Sequence, residues 1–314
     1  MDLYEIPGNP VPEGATTGTV ISADGVRLRY ARWSPTARRS LGTVCLVQGR
    51  GETIEKYFET VVELRRRGFA VAAFDWRGQG GSERRLRNRF KGHVDSFEEF
   101  DRDLEAFVHQ VVLPDCPPPF FALAHSTGAL VCLRTARDGR VSFSRMVLVS
   151  PLFGLGVTRP GQPTACRVAA FMTAVGLGEV TVPGGQARSI VGVPFEGNVL
   201  TGDPARYQRS IDIFTQLRDV SVGAPTFGWL FAACRAMHEA TDPDFAPAIR
   251  VPTLIVSGAL DTLVSLEAAE TMAAALRAGG HIVVPGARHE ILMERDPVRA
   301  QFWAAFAAFV PGSG

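Results

Sequence analysis

The chain has 314 residues and a formal charge of +1 at pH 7, from 33 lysines and arginines against 32 aspartates and glutamates. Its hydrophobic fraction of 46% and charged fraction of 21% are typical of a globular protein with a large buried core. A charge so close to zero provides no overall attraction to nucleic acid, so we expect no nucleic-acid partner.

The sequence contains no stretch of about 18 consecutive apolar residues, so no membrane-spanning helix is predicted. Its start carries Asp2 and Glu5 and no basic residue ahead of an apolar run, so a secretory signal is not predicted either. We therefore expect a cytoplasmic location.

Five cysteines occur, at positions 45, 116, 132, 166 and 234, an odd number with no C-x-x-C pair. This pattern predicts neither a disulfide framework nor a zinc site. Cys45 and Cys132 lie in apolar runs, where we expect them to be buried. His93, His109 and His238 show no metal-ligand spacing with acids or cysteines. We expect no metal ion and no organic cofactor.

The predicted elements alternate between short apolar runs and segments of helical period. Residues 18–22 and 26–33 flank a turn at 23–25 and predict an antiparallel hairpin. The strands that follow are short and largely apolar, as expected for a parallel sheet buried on both faces, at 43–47, 69–74, 120–124, 146–149, 253–257 and 282–284. Helices are predicted at 54–67, 97–114, 127–137, 266–276 and 297–309.

Residues 152–249 interrupt this alternation with a mixed segment rich in glycine and proline, which contains short helical pieces such as 167–175 and 229–240. Repeated strand–helix–strand units require right-handed crossovers and place helices on both faces of a sheet. We predict the α/β class, with a mostly parallel eight-stranded sheet. Its core consists of residues 1–151 and 250–314, separated by the insertion at 152–249.

A candidate nucleophile lies between the strand at 120–124 and the helix at 127–137, in Ala124-His125-Ser126-Thr127-Gly128. A strand that enters a helix through so tight a turn needs small residues two before and two after the nucleophile. Ala124 and Gly128 meet that requirement, although the first position is usually Gly. The sequence therefore predicts Ser126 as the nucleophile.

Chain order provides an independent test, since this architecture places the serine first, then an acid, then a histidine. Asp261 follows the strand at 253–257, and His289 lies in the loop after the strand at 282–284. A serine hydroxyl needs a base to take its proton, and a carboxylate that orients that base. We predict Ser126, Asp261 and His289 as the catalytic residues.

Other interpretations of these residues stay open. Asp261 could instead cap the helix that begins near residue 266, and His289 could be a solvated loop residue. His281 opens a strand and is expected to pack at its edge. His125 could be a second base, but its position next to Ser126 favours packing in the core or in a pocket wall.

Stabilisation of an oxyanion needs two backbone donors, one of them from the residue after the nucleophile. Thr127 is that residue. The second donor is expected in the loop after the strand at 43–47, in Gln48-Gly49-Arg50-Gly51-Glu52, and Arg50 is our candidate.

The chain resembles the α/β-hydrolase fold serine hydrolases of the monoacylglycerol lipase and bacterial lysophospholipase type, a serine aminopeptidase S33-type family. The resemblance lies in residues 48–52, 75–82, 92–97 and 124–128 and in the contexts of Asp261 and His289. It implies the N–H groups of Arg50 and Thr127 as the oxyanion hole, and residues 152–249 as a helical cap over the pocket.

Two residues depart from the family pattern, which usually has His at the positions of Gln48 and Trp76. Because Arg50 would contribute through its backbone, Gln48 should preserve catalysis and change how the loop is held. Residues 75–82 also suggest a phosphate-binding glycine loop, but they lack the G-x-G-x-x-G pattern and a Walker lysine. We interpret them as a structural turn.

The insertion is rich in apolar side chains that could line a channel for an acyl chain or form its own core: Phe153, Leu155, Phe171, Met172, Val193, Phe195, Phe227, Trp229, Leu230, Phe231 and Met237. Residues Arg84 to Lys91 form a basic patch, which we interpret as a solvated loop, with peripheral membrane contact as the alternative.

The hypothesis from sequence is a serine carboxylic ester hydrolase that acts on a small-molecule, lipid-like monoacyl ester through an acyl-Ser126 intermediate. An aminopeptidase, a thioesterase or a perhydrolase on the same fold is the alternative, and an aminopeptidase should offer acids such as Glu196 or Glu239 to a substrate ammonium. A non-catalytic binding protein is the other alternative, which an intact set of Ser126, Asp261 and His289 disfavours. The oligomeric state is not predicted.

Overall fold

The structure is a computed structural model that describes residues 2–157, 160–183 and 194–311. Its strands are β1 (Thr16–Ile21), β2 (Arg27–Trp33), β3 (Thr43–Val47), β4 (Ala70–Phe74), β5 (Phe120–His125), β6 (Arg145–Val149), β7 (Thr253–Gly258) and β8 (Gly279–Val284). All eight belong to one sheet in the order β1-β2-β4-β3-β5-β6-β7-β8. The predicted eight-stranded sheet is confirmed.

The helices follow the predicted alternation, with one helix that the sequence pattern did not single out, α6. Their bounds are α1 (Phe58–Arg66), α2 (Glu98–Phe107), α3 (Leu113–Asp115), α4 (Thr127–Arg137), α5 (Gln162–Ala174), α6 (Pro204–Gln216), α7 (Phe227–Glu239), α8 (Phe245–Ala248), α9 (Leu266–Ala275) and α10 (Asp296–Phe309).

Strand direction follows from the connections. β1 and β2 form the predicted antiparallel hairpin, and β2 pairs antiparallel with β4. The strands from β4 through β8 pair in parallel. Parallel neighbours end at the same edge, so the loops that follow β3, β5, β7 and β8 meet above the carboxyl end of the sheet, where open α/β sheets bind their ligands.

The sheet is buried on both faces, as the apolar runs predicted. In β3, Cys45 and Val47 belong to one hydrophobic cluster, whereas Val44 and Leu46 belong to the other. This period of two is the signature of a strand with a core on each side. One core packs beneath α2, α4 and α9, and the second beneath α1 and α10. A firm sheet of this kind fixes the positions of its loop ends.

Residues between β6 and β7 contribute α5, α6, α7 and α8. Contrary to the prediction from the cysteine count, this segment holds a disulfide, which joins Cys166 of α5 to Cys234 of α7. The two cysteines are 68 residues apart in sequence, and only the packing of α5 on α7 brings their Cα atoms to 5.8 Å. Spacing along the chain carried no signal of that contact. Cys45 and Cys132 are buried and free, as predicted.

The turn at residues 75–82 is structural, as predicted. Asp75 is fully buried, where its carboxylate pairs with Arg29 at 2.6 Å. It also accepts hydrogen bonds from the backbone N–H groups of Ile54 and Gly81. These bonds hold the turn against the loop after β3. None of the described helices is both long enough and apolar enough to cross a bilayer.

Candidate active site

Ser126 lies at the sharp turn between β5 and α4, with φ 49° and ψ −113°. A positive φ is rare for a residue with a Cβ, and such strain is concentrated at functional sites. The turn is tight because α4 approaches the end of β3: a Cβ at Gly128 would overlap the backbone oxygens of Gln48 and Val47. Ala124, where the family usually has Gly, is accommodated and fully buried.

The three predicted catalytic side chains lie together in one hydrogen-bonded chain. His289 Nε2 lies 3.2 Å from Ser126 Oγ, and His289 Nδ1 lies 2.7 Å from Asp261 Oδ2. Ser126 is 9% exposed and His289 is 6% exposed, so the chain is shielded from water yet reachable from the cavity that it lines. This is the order in which a carboxylate orients an imidazole and the imidazole takes a proton from a hydroxyl.

Asp261 is committed to His289. Burial would raise the pKa of the Asp261 carboxyl, but the hydrogen bond with His289 and those from the N–H groups of Leu263 and Val264 hold that pKa below its usual value. The alternative in which Asp261 caps the helix after it is wrong, because the Oγ of Ser265 accepts the hydrogen bond at the start of α9. The Asp261 carboxylate therefore stays charged beside the imidazole.

The loop after β3 is held by side chains on both sides of Arg50. Glu52 accepts a hydrogen bond from the N–H of Gly49, and Gln79 Oε1 accepts one from the N–H of Gly51 at 3.0 Å. The Nε2 of Gln79 also donates to the carbonyl of Gly49 at 2.9 Å. The N–H of Arg50 lies between these two engaged groups and has no acceptor among the described residues.

Thr127 is the first residue of α4, so its N–H points out of the helix N-terminus, where the helix dipole favours negative charge. Arg50 and Thr127 both line the cavity that contains Ser126. This placement is that of two donors for an oxyanion formed at the carbon that Ser126 attacks.

A buried charged network, which the sequence reasoning missed, surrounds the elbow. Lys56 Nζ lies 2.8 Å from Glu52 and 2.6 Å from Glu290. His125 Nδ1 lies 3.1 Å from Glu52, and its Nε2 lies 3.2 Å from the carbonyl oxygen of His289. The spacing of Glu52 and Lys56, four residues apart, is the signal that could have revealed the pair. The network joins the loop after β3, the elbow and the loop of His289.

His125 is therefore not a second base for Ser126, and it lies in the cavity wall as predicted. Burial would lower the pKa of His125, but the neighbouring Glu52 raises it above its usual value. Burial would likewise raise the pKa of Glu52, but His125 and Lys56 hold it well below its usual range. Glu52 is thus an anion that positions its neighbours.

The two departures from the family pattern lie next to each other. Trp76 Nε1 donates to the backbone carbonyl of Gln48 at 2.8 Å, and Gln48 Nε2 donates to Asp75 at 3.2 Å. Trp76 therefore holds the end of β3 through its backbone, and Gln48 secures the same point through the turn. The consequence that sequence could only raise as a question is a differently supported loop with its N–H groups in place.

The cavity above Ser126 has a volume of about 300 Å³. Its apolar walls come mainly from the segment between β6 and β7 and from the loop after β7, namely Leu152, Leu155, Leu200, Pro225, Trp229, Leu263 and Val264. Of the apolar residues proposed from sequence, Leu155 and Trp229 line this cavity. Phe171 is 65% exposed, and Val193 lies outside the described residues.

The acids proposed for an aminopeptidase lie elsewhere. Glu239 pairs with Arg134 and lines a separate cavity with Ser96 and Arg235. Glu196 is exposed and is absent from the lining of the Ser126 cavity.

The remaining histidines and the basic patch have structural contacts. His281 Nε2 lies 3.0 Å from Ser257 Oγ on the neighbouring strand, as expected of a residue at a sheet edge. His93 lies 2.8 Å from Thr226, the residue that caps α7. In the patch, Arg84 donates to backbone carbonyls and Arg85 pairs with Asp95. Within the part of the chain that the structure describes, no cluster of three candidate metal ligands occurs.

Known proteins resemble this chain over most of its length. Lysophospholipase L2 of Escherichia coli (strain K12) is 28% identical over 290 residues, which covers 88% of this chain and 82% of that protein. Monoglyceride lipase of Rattus norvegicus is 32% identical over 151 residues, covering 48% and 47%. The solved structure of a soluble variant of monoglyceride lipase from Saccharomyces cerevisiae superimposes with a TM-score of 0.73 at 20% identity, over 95% of this chain and 97% of that one.

The structural similarity shows a shared fold, the α/β-hydrolase fold. The profile of one family, described as serine aminopeptidase, S33, matches residues 38–296. That range contains Arg50, Ser126, Asp261 and His289. The chain belongs to the serine aminopeptidase S33 family.

Proposed function

We propose that the chain is a serine hydrolase that cleaves carboxylic esters with one acyl chain, of the lysophospholipid or monoacylglycerol type, through an acyl-Ser126 intermediate. The observation that carries the proposal is the hydrogen-bonded chain from Ser126 to His289 to Asp261 at the floor of a largely apolar cavity. Relatives named lysophospholipase and monoglyceride lipase support the choice of a lipid-like ester.

The chemistry proceeds in two halves. His289 Nε2 takes the proton of Ser126 as its Oγ attacks the ester carbonyl carbon, and the N–H groups of Arg50 and Thr127 stabilise the resulting oxyanion. His289 then gives the proton to the departing alcohol, leaving the acyl group on Ser126. A water molecule that has lost a proton to His289 attacks the acyl group, and the acid leaves with Ser126 restored.

Asp261 keeps the imidazole in the tautomer that exposes Nε2 as an acceptor, and its charge stabilises the imidazolium that forms in each half. No step in this scheme uses a metal ion or an organic cofactor. We further propose that residues 152–249 act as the cap, because they supply much of the apolar wall that would contact the acyl chain.

An aminopeptidase is the competing proposal within the family, and the charges of the cavity oppose it. A substrate ammonium requires an available carboxylate, yet the two acids that line the cavity, Glu52 and Glu290, are both paired with Lys56. Thioesterase and perhydrolase activity and pure ligand binding remain alternatives, which the experiment below separates from ester hydrolysis.

The experiment is covalent labelling with a fluorophosphonate, read by intact mass and followed by a screen of monoacylglycerols, lysophospholipids, thioesters and amino-acid amides. We expect one adduct in the wild type and none in Ser126→Ala. Ser150→Ala is the matched control, because Ser150 is also a buried serine with positive φ, 44°. Its adduct should persist. A folded wild type that takes no label, or one that labels and cleaves only amides, would contradict the proposal.

The cellular location and the membrane contact stay predictions. A cytoplasmic location was expected from the sequence, but the disulfide between Cys166 and Cys234 is of a kind that persists mainly in oxidising compartments and weighs against it. Peripheral membrane contact through residues 84–91 is weakened by the internal hydrogen bonds of Arg84 and Arg85.

A further inference from the structure

The side chain of Arg50 places a positive charge in the cavity of Ser126. Its guanidinium carbon lies 5.1 Å from the ring centroid of Trp229, and both residues line that cavity. One of its terminal nitrogens donates to the carbonyl of Gly223 at 2.9 Å. Its Nε is buried and has no hydrogen-bond partner among the described residues. The guanidinium is thus held in place on one side, with donor capacity left on the other.

Other buried arginines of this chain have carboxylate partners, and Arg50 has none among the described residues. Arg29 pairs with Asp75 and Glu55, and Arg134 pairs with Asp101. For Arg50, burial lowers the pKa to about 10 and no neighbouring acid offsets it. The group is still charged at neutral pH. A charge with no counter-ion in a partly dry site is costly, and an anion from outside relieves that cost.

The cavity supplies no anion of its own for Arg50. Glu52 and Glu290 line it, but the ammonium of Lys56 lies between them and bonds to both. The remaining walls are largely apolar, from Leu152, Leu155, Leu200, Pro225, Leu263 and Val264. An acyl chain complements those walls. The charged end of a substrate is then left for the guanidinium, whose planar donors match the oxygens of phosphate and carboxylate.

We propose that the guanidinium of Arg50, held over Trp229, binds an anionic group on the alcohol part of the ester, a phosphate or a carboxylate. The enzyme thereby prefers phosphate-bearing monoacyl esters over neutral monoacylglycerols. This inference rests on the proposed ester hydrolase activity. It assigns Arg50 a second role, through its side chain, beside the backbone N–H that faces the oxyanion.

The test compares kcat/KM for three substrates with the same acyl group: monodecanoylglycerol, decanoylglycerol phosphate and decanoyloxyacetate. A hydrogen bond to a charged group supports a preference of about 10- to 100-fold for the anionic substrates in the wild type. In Arg50→Met the ratio of anionic to neutral kcat/KM should fall to about one. The ratio cancels any effect of the substitution on the oxyanion loop. Arg50→Lys keeps the charge without the fork and should keep part of the preference.

Arg87→Met is the matched control, because Arg87 is exposed in the basic patch and away from the cavity lining. Its ratio should match the wild type; a ratio that falls there and not in Arg50→Met would move the anion site to the patch. Preference for phosphate alone, or for both anions, decides which group the guanidinium selects.

A measurement on the wild type alone guards against variants that do not fold. Glycerol phosphate should slow fluorophosphonate labelling of Ser126 at concentrations where glycerol does not. Equal hydrolysis of all three substrates, with Ser126 labelled normally, would overturn the role of Arg50 and leave the proposed function intact. Absence of both labelling and hydrolysis would instead overturn the proposed function.

Discussion

The two walls of the cavity are built on different principles. The wall at the sheet edge carries the polar groups, and these are buried and bonded to one another: Ser126 to His289, His289 to Asp261, and Lys56 to Glu52 and Glu290. The wall from the segment between β6 and β7 presents apolar side chains and exposes others to solvent, such as Phe171.

This difference teaches how the fold divides its work. Bond-making chemistry needs atoms held to within a fraction of an ångström, and only a sheet buried on both faces provides that rigidity. Binding an acyl chain needs apolar area and tolerates adjustment, so it falls to the segment with fewer fixed contacts. The comparison predicts that changes at the sheet edge affect chemistry or global stability, whereas changes in the intervening segment affect local order.

The largest effect is expected at the sheet edge from Asp261→Asn. The amide keeps the shape of the side chain but favours the wrong tautomer of His289, so kcat should fall by about 10⁴-fold. Asp244→Asn, at an exposed aspartate before α8, is the control and should leave kcat unchanged. Steady-state kinetics on the preferred ester gives the answer, and an unaltered kcat in Asp261→Asn would remove that residue from the mechanism.

The second effect concerns stability, from Lys56→Met. The substitution leaves Glu52 and Glu290 buried without their shared cation, which typically costs about 3–5 kcal/mol in the free energy of unfolding. The chain has a second lysine, Lys91, which gives a matched control in Lys91→Met. Urea unfolding of both variants measures the effect. If the two lose the same free energy, the network is not a structural element of the site.

The third effect concerns the intervening segment, from the pair Cys166→Ser and Cys234→Ser made together. Loss of a disulfide typically costs about 2–4 kcal/mol. The bond joins α5 to α7, so the loss should be local: faster amide hydrogen exchange in α5, with that of β5 unchanged. The rate at which a small fluorophosphonate labels Ser126 should stay within about twofold. Uniformly faster exchange in both elements would show that the segment and the sheet unfold together.

The smallest effect is expected where the two regions are joined, at Glu59 of α1. It pairs with Arg206 and Arg209 of α6 and with Arg299 of α10. Burial would raise the pKa of Glu59, but these arginines lower it to about 2. Because the folded-state pKa lies below the ordinary value of about 4.3, the stability from Glu59 is present above that pH and lost as pH falls towards 2.

The pH experiment compares urea unfolding of the wild type and Glu59→Gln between about pH 6 and pH 3. The wild type should lose about 2 kcal/mol more than the variant over that range, given that Glu59 is 28% exposed. Glu63→Gln, one turn later on α1 and paired only with Arg67 in the structure's ion pairs, should follow the wild type. Parallel pH curves for wild type and Glu59→Gln would contradict the lowered pKa.

The sequence by itself determined the sheet and the triad. Short apolar runs separated by helical periods specify a parallel sheet, because each strand must be buried on both faces. Ser126, Asp261 and His289 could be identified because strand ends meet at one edge, so order along the chain becomes position in space. Distances of 2.7 and 3.2 Å then required no information beyond those strand ends.

Only the tertiary structure decided the rest, and the reason in each case is a contact between distant segments. Cys166 and Cys234 meet because α5 packs on α7, and Glu290 reaches Lys56 across 234 positions. The irregular segment has no period from which α6 could be identified. The charge of Arg50 was visible in the sequence, but the lack of a carboxylate partner for it depends on every neighbour in the fold. That information exists only once the chain is packed.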